Sequence, residues 1–480
     1  MALVLGLLHL LLLPDSGTDL AAQLERASFA RAAPFTPVDL SWYAGTHPFG
    51  YSLLAPWVMA LLGVALTGLL AAVAAAVLFA RLLRDSERPW LGAVVGAVFA
   101  VADVVSGRTT FALGAATALA ALVVLPRLRL AAGFAVLTAL LSPVAAAFLG
   151  FAASVLVLHR RPGGWTLGVA SALPVVALAV LFPGGGIQPF SADSALPAVV
   201  VALVLAALTT VPTVRTGALL YAAAVVVFAN HDDPFGSNVL RLGLLVAASL
   251  VLATSRRNTL VVMAAAAGFL SWQLDPTLGD LEARPGPPLA AVTRELVHLG
   301  GQRVEVVAPR DHRESWTVAE VVPLARGWSR QIDLKQNPMF YRGSLTAAAY
   351  LDWLRAHSVD HVALPLRAVL DFGSTREGRL LKHPVDGLAL VWSDDDWVVY
   401  QVADAKPLGE QPARVVASRR TRLVLSSAEV ATVRVDVRWS RWLSLSGPGC
   451  LARDGDRVRV TFRSPGTVTL GSSLLPEGHC

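Results

Sequence analysis

Asp19 and Asp39 are the carboxylates whose setting could do chemistry. Both lie in the stretch from Asp15 to Tyr51, DSGTDLAAQLERASFARAAPFTPVDLSWYAGTHPFGY, the one long polar segment of the first 274 residues. A carboxylate within hydrogen-bond reach of a hydroxyl can take its proton as the oxygen attacks. Trp42, Tyr43, His47 and Tyr51 stand beside them as candidates to hold a substrate. Plainer readings exist for two of these. Asp19 is placed to cap the amphipathic segment LAAQLERASFARA, which is expected to lie along a membrane surface, and His47 in GTHPFGY can satisfy a turn. Asp39, between Pro37 and an aromatic pair, has no evident capping role.

Further candidates lie outside this stretch. Asp103 falls inside an apolar run, with Arg108 just past it. An ionisable residue at membrane depth costs about 2.5–3.5 kcal/mol on insertion scales, so it is expected to face a cavity or a partner. An Asp103–Arg108 pair at the membrane edge is the plain account. His231-Asp232-Asp233, with Arg241 a helical stretch later, can bind a divalent cation or form a solvated loop. The segment Arg326–Tyr341, RGWSRQIDLKQNPMFY, interleaves aromatics with Arg330, Gln331, Asp333 and Asn337. That mixture suits a sugar-binding or membrane-facing loop, although Trp328, Phe340 and Tyr341 can equally be core anchors. Asp394–Asp396 reads as a hairpin turn. The sequence has no P-loop, no GxSxG, no metal-type Cys/His spacing and no Rossmann glycine pattern.

The elements that must position these residues fall into two parts. The chain has 480 residues, 55% hydrophobic and 15% charged, against roughly 25% charged in a soluble domain. Its mean hydropathy is +0.58. Residues 1–274 carry 14 Arg, no Lys and 10 acidic residues; residues 275–480 carry the other 26 basic and 24 acidic ones. The expected architecture is an α-helical polytopic membrane domain over 1–274, with 9–11 transmembrane helices and an outer loop at 15–50. A linker at 275–288 follows, then an extracytoplasmic α/β subdomain at 289–404 and a β-sandwich-like subdomain at 405–480. The last assignment rests on short alternating runs such as RLVLS, ATVRVDV, RVRVTF and TVTLG. Ala2–Leu13 is expected to be a first helix whose cytoplasmic end is missing. Leu130–Leu141 and Pro143–Leu158 can form one kinked span or two short helices.

Arg-bearing loops at 81–88, 127–129, 160–161, 215 and 256–257 alternate with loops that hold no basic residue, such as Pro183–Ser194 and Asn230–Asn238. By the positive-inside rule the Arg loops face the cytoplasm. The expected location is therefore the cell membrane, with a cytoplasmic N-terminus and residues 275–480 outside. The basic pI of 9.7 follows from arginines at helix ends and does not imply nucleic acid. The excess of Arg over Lys fits a GC-rich genome. Cys450 and Cys480 can pair if their domain is exported, and are otherwise two free thiols.

A short first helix, an outer segment with an Asp near its start, and the approach G-x-x-x-F-G-Y-S-x-x-x-P from Gly45 to Pro56 together resemble the type-C (GT-C fold) membrane glycosyltransferases. The nearest resemblance is to a group of actinobacterial integral membrane proteins, sometimes labelled major-facilitator transporters. These share FTPVDLSWYAGTHPFGYSLLAPW, GSNVLRLG and RGWSRQIDLKQNPMFY. The resemblance implies a sugar donor on a polyprenyl phosphate, an envelope glycan or protein as acceptor, and an outer-loop Asp as general base, sometimes with a divalent cation. Asp19 or Asp39 takes the base role on that analogy, while a cation or Arg108 stabilises the leaving phosphate. The segment lacks the Asp-x-Asp or Asp-Glu pair of that family. A transporter or flippase, and a non-catalytic envelope assembly protein, are the alternatives the sequence leaves open.

Overall fold

Runs of Ala, Leu and Val with no strand-like alternation make the first part of the chain helical. The computed structural model describes residues 1–12 and 17–480, so Asp15 lies outside the described residues. Met1–Gln23 with Gly50–Ala283 form one unit, and Leu24–Phe49 with Arg284–Cys480 form another.

In the first unit, proline opens several helices at a position where its missing N–H costs nothing: Pro89–Val105, Pro143–Leu158 and Pro212–Ala229. Among the described residues, Val64–Leu83, Gly164–Leu181, Pro212–Ala229 and Gly236–Thr254 are long and apolar enough to cross a membrane. Six shorter apolar helices accompany them, and the set is consistent with a membrane protein. Leu128–Leu141 and Pro143–Leu158 are two separate helices. Ser142 between them is extended, and its hydroxyl accepts the N–H of Ala145 to start the second. The expected linker at 275–288 begins later than the sequence suggests. Thr259–Leu281 is one continuous helix through Asp275 and Pro276.

Among the described residues the second unit holds three sheets, one mixed and two antiparallel. Its first sheet consists of β1 (Val304–Val306), β2 (His361–Pro365), β3 (Leu388–Ser393) and β4 (Trp397–Val402). The order is β1-β2-β4-β3, with β1 parallel to β2 and the other pairs antiparallel. β2 is buried at all five positions, as a central strand covered on both faces must be. Helices Ala290–His298 and Ala347–Ala356 are amphipathic, burying Val292 and Leu296 in the first and Tyr350, Trp353 and Leu354 in the second.

The remaining strands are β5 (Arg414–Arg419), β6 (Arg422–Ser427), β7 (Ala431–Arg438), β8 (Leu443–Ser446), β9 (Gly449–Asp454), β10 (Arg457–Phe462) and β11 (Gly466–Ser472). They form sheets β7-β10-β9 and β5-β6-β11-β8, and the inward residues of both, among them Leu425, Val435, Val460, Phe462 and Val468, share one core. That is the sandwich the alternating runs imply. Cys450 and Cys480 are disulfide-bonded, so the free-thiol alternative does not hold.

Val38 and Leu40 belong to this same core. The segment Leu24–Phe49, expected as a loop of the helical domain, is thus built into the second unit. The amphipathic stretch also departs from expectation. In the helix Leu20–Ala32 the Glu25 carboxylate is ion-paired with Arg420, whose guanidinium lies over the Phe29 ring at 5.0 Å. A polar face that finds buried partners has no need to lie along a lipid surface.

Candidate functional site

In the first unit, five polar side chains from four chain segments meet at one place. Asp19 Oδ2 is 3.0 Å from Arg241 Nη2 and 3.5 Å from Arg108 Nε. Arg108 Nη1 is 3.6 Å from Asp103 Oδ1, and Asp280 adds a buried carboxylate whose field also acts on Arg108. The expected Asp103–Arg108 pair exists, but as part of a larger group that includes Asp19. The Asp19 side chain is 28% exposed, enough for a ligand to reach it.

The local backbone explains the convergence. Gly107 takes φ +79 directly after the helix Pro89–Val105, and a Cβ there would lie 2.4 Å from the Leu20 backbone N. Only glycine allows the chain to turn that tightly against Leu20, and the turn delivers Arg108 to Asp19. Arg241 sits in the first turn of Leu240–Thr254, with its guanidinium 5.6 Å from the Phe111 ring centre. Gln273 braces this helix from Thr259–Leu281. Its Nε2 donates to the carbonyls of Leu244 at 2.6 Å and Gly243 at 3.1 Å, and its Oε1 accepts the N–H of Ala248 at 3.0 Å. The amide therefore spans the very pair, Ala248 N–H and Leu244 C=O, that a regular helix would join. Asp103, Arg108, Arg241 and Gln273 line a cavity of about 20 Å³, the size of a bound water.

The second unit carries a denser polar group. His312 lies between two carboxylates, with Nδ1 3.2 Å from Glu314 Oε1 and Nε2 3.3 Å from Asp371 Oδ1. Its ring stacks on Trp328, centre to centre 3.7 Å. Burial disfavours the imidazolium, but Asp371 and Glu314 outweigh it, and the pKa is pushed up to about 9. Asp371 also takes both Arg330 nitrogens, at 2.7 and 2.5 Å. Burial would raise its carboxyl, yet His312 and Arg330 hold it well below the usual range. This bidentate arrangement is the strong form of an ion pair.

A second guanidinium, Arg326, sits among three carboxylates: Glu305 at 2.7 Å, Glu377 at 2.5 Å and Asp333 at 3.5 Å. Tyr341 donates to Asp333 at 2.5 Å and Tyr350 to Glu377 at 2.6 Å. Burial raises Glu305 and Glu377 above the usual carboxylate value, since one buried cation does not stabilise three ionised neighbours.

The candidates from the sequence fare differently. Of RGWSRQIDLKQNPMFY, Trp328, Arg330 and Asp333 line the cavity of this group, together with Arg326, Gly327 and Tyr341. Asn337 lies behind it, donating to Asp333 and accepting from Trp353 Nε1; Gln331 shares the helix Arg330–Gln336 but is not among the lining residues. Trp42 and Tyr43 are internal braces. Trp42 Nε1 donates to the Ser315 carbonyl at 2.8 Å, and the Tyr43 hydroxyl to the Gly327 carbonyl at 2.6 Å. Gly327 is glycine because a Cβ there would lie 2.3 Å from Trp42 Cγ. His47 Nε2 contacts Ser440 Oγ at 2.8 Å, and Tyr51 is exposed at the end of the short helix Pro48–Tyr51.

Asp39 is not placed to act on a substrate. It is 1% exposed, and its Oδ1 accepts both the backbone N–H and the hydroxyl of Ser41, at 2.9 and 2.6 Å. Asp233 similarly closes a turn by accepting the N–H groups of Phe235 and Gly236. With Asp232 exposed beside it, no metal-holding group of three His, Cys, Asp or Glu forms among the described residues. Asp394 closes the β3–β4 hairpin, as expected. The sequence reading missed His312, Glu314, Asp371, Glu305 and Glu377. One signal was available: a histidine flanked by acids in DHRES, just past the strand-like run at Arg303–Ala308. Compared with family models and with curated proteins, the chain matches none.

Proposed function

We propose that this chain is a membrane glycosyltransferase that moves a sugar from a polyprenyl-phosphate donor to an acceptor hydroxyl of an envelope glycan or protein. The observation that carries the reading is Asp19 held between Arg108 and Arg241, at 3.5 and 3.0 Å. Two guanidiniums side by side suit a phosphate, and a carboxylate beside them suits the base that a sugar acceptor needs. The donor phosphate competes with Asp19 for the arginines, so donor binding releases the carboxylate for its task. The acceptor oxygen then forms its bond to C1 as its proton passes to Asp19. The bond from C1 to the phosphate oxygen breaks, and the arginines hold the departing phosphate. The cavity is water-sized, so the reaction requires these side chains to part around the donor.

The membrane setting rests on the apolar helices and the alternation of arginine loops. That alternation supports a topology with residues 275–480 outside the cell. The Cys450–Cys480 disulfide supports an oxidising compartment for them. Asp39 takes no part in this scheme, and no metal is assigned to Asp232 or Asp233.

Membranes containing the protein, supplied with radiolabelled polyprenyl-phosphate sugars, should transfer label to an envelope acceptor above the level of membranes without it. Well-inserted protein that transfers from no donor would sink the reading in favour of transport or envelope assembly.

A further inference from the structure

The charged group of the second unit is incomplete in a way that points to a ligand. Glu305 and Glu314 are 1% and 3% exposed, and both line the same cavity. Each spends one carboxylate oxygen on a cation, Glu305 on Arg326 and Glu314 on His312. The other oxygen of each, Oε2, is buried without a hydrogen-bond partner. A buried acceptor left unpaired is costly, and two around one cavity call for a donor between them.

Charge and size narrow the donor. Asp333, Asp371 and Glu377 join Glu305 and Glu314 around three cations, His312, Arg326 and Arg330, so carboxyl groups outnumber cations and a further cation is what would let the surplus ionise. The cavity is about 20 Å³, space for one group of water size and no more. Its mouth is formed by Trp328 and Arg330, which are half-buried and not sealed. A group that is small, positively charged and rich in donors fits the depth, while its carrier remains at the aromatic mouth.

We propose that this cavity binds a primary ammonium group, as presented by an amino sugar or by an ethanolamine headgroup. The –NH₃⁺ donates to Glu305 and Glu314 and supplies the missing positive charge. An N-acetylated or quaternary amine is excluded by size, and a neutral sugar by charge. This site is independent of the transfer chemistry at Asp19 and survives if that reading fails.

The test uses the full-length protein in nanodiscs at constant ionic strength, with thermal stability and titration calorimetry as readouts. Methylammonium should stabilise the second unit in a saturable way, while tetramethylammonium and potassium do not. Glucosamine set against glucose and N-acetylglucosamine, and ethanolamine against choline, then tell which carrier is preferred. Glu314→Gln and Glu305→Gln should each weaken methylammonium at least tenfold. Equal responses to methylammonium and tetramethylammonium, a response to potassium as strong as to methylammonium, or no response at all would overturn the proposal. The last result would leave the cavity to water alone. The comparison among cations uses the unaltered protein, so it stands even where a variant does not fold.

Discussion

Asp19 and Arg241 are 222 positions apart in the chain and 3.0 Å apart in space. The contact joins the residue just before the helix Leu20–Ala32 to the first turn of a late apolar helix, and Arg108 completes it from a glycine turn. The two guanidiniums meet at one carboxylate that solvent still reaches, with the Asp19 side chain 28% exposed, which is why the functional proposal rests there.

Gln273 is predicted to hold the helix that carries Arg241. Gln273→Leu removes both halves of its bridge and leaves the Leu244 carbonyl and the Ala248 N–H without the side-chain amide that links them. We expect a loss of about 1–3 kcal/mol and faster hydrogen exchange at the Ala248 amide. Unchanged exchange there would show that the helix does not depend on the bridge.

The contact between Gly327 and Trp42 can be tested by adding one methyl group. Gly327→Ala places a Cβ inside the indole, because the carbon would start 2.3 Å from Trp42 Cγ. Overpacking of this kind costs about 1–3 kcal/mol. A lowered unfolding midpoint is expected, partly restored when Trp42→Leu is added. Full stability in the single variant would contradict the packing described.

The disulfide closes a loop of sequence separation 30 in the sandwich. Replacing Cys450 and Cys480 by Ser should destabilise the second unit by about 2–4 kcal/mol. In the intact protein neither thiol should react with maleimide until a reductant is added.

Stability of the second unit should fall as the medium becomes alkaline. The folded pKa of His312 is raised, from 6.5 to about 9. Its contribution is therefore full below 6.5 and disappears as pH rises through 9, on the order of 3 kcal/mol. Glu305 and Glu377 are raised as well, so they work in the same direction. Asp371 is lowered; its contribution is present above its usual value and disappears only in strong acid. Unfolding midpoints measured between pH 6 and 10 should decline in the wild type and decline less in His312→Gln. A flat profile would mean that His312 is not charged in the fold.

Much of this architecture was legible in the sequence, for identifiable reasons. Apolar runs divided by arginines show helices and their ends, and alternating runs after Ala413 show the sandwich. The segment Arg326–Tyr341 was visible because Arg330 and Asp333 are conspicuous among aromatics. What the sequence hides is assembly at a distance. Glu305 lies on β1, Asp371 just beyond β2 and Glu377 on a short helix after it; a parallel bridge from Val304 to Leu324 sets Glu305 beside Arg326, and the parallel pairing of β1 and β2 brings the other two toward it. Asp39 misled for the opposite reason. It looks available because nothing local distinguishes a carboxylate that reaches a ligand from one spent two residues on, at Ser41. Trp42 and Tyr43 look like sugar platforms, but their polar atoms are committed to the carbonyls of Ser315 and Gly327.

The most direct test of the central claim compares Asp19→Asn with Asp39→Asn in sugar transfer from radiolabelled polyprenyl-phosphate donors, with insertion and thermal stability checked for both. The account predicts that Asp19→Asn inserts normally and loses transfer by at least a hundredfold, on the scale of a general base. Asp39→Asn should keep its transfer per folded molecule and lose stability instead. Full activity in well-folded Asp19→Asn would contradict the account.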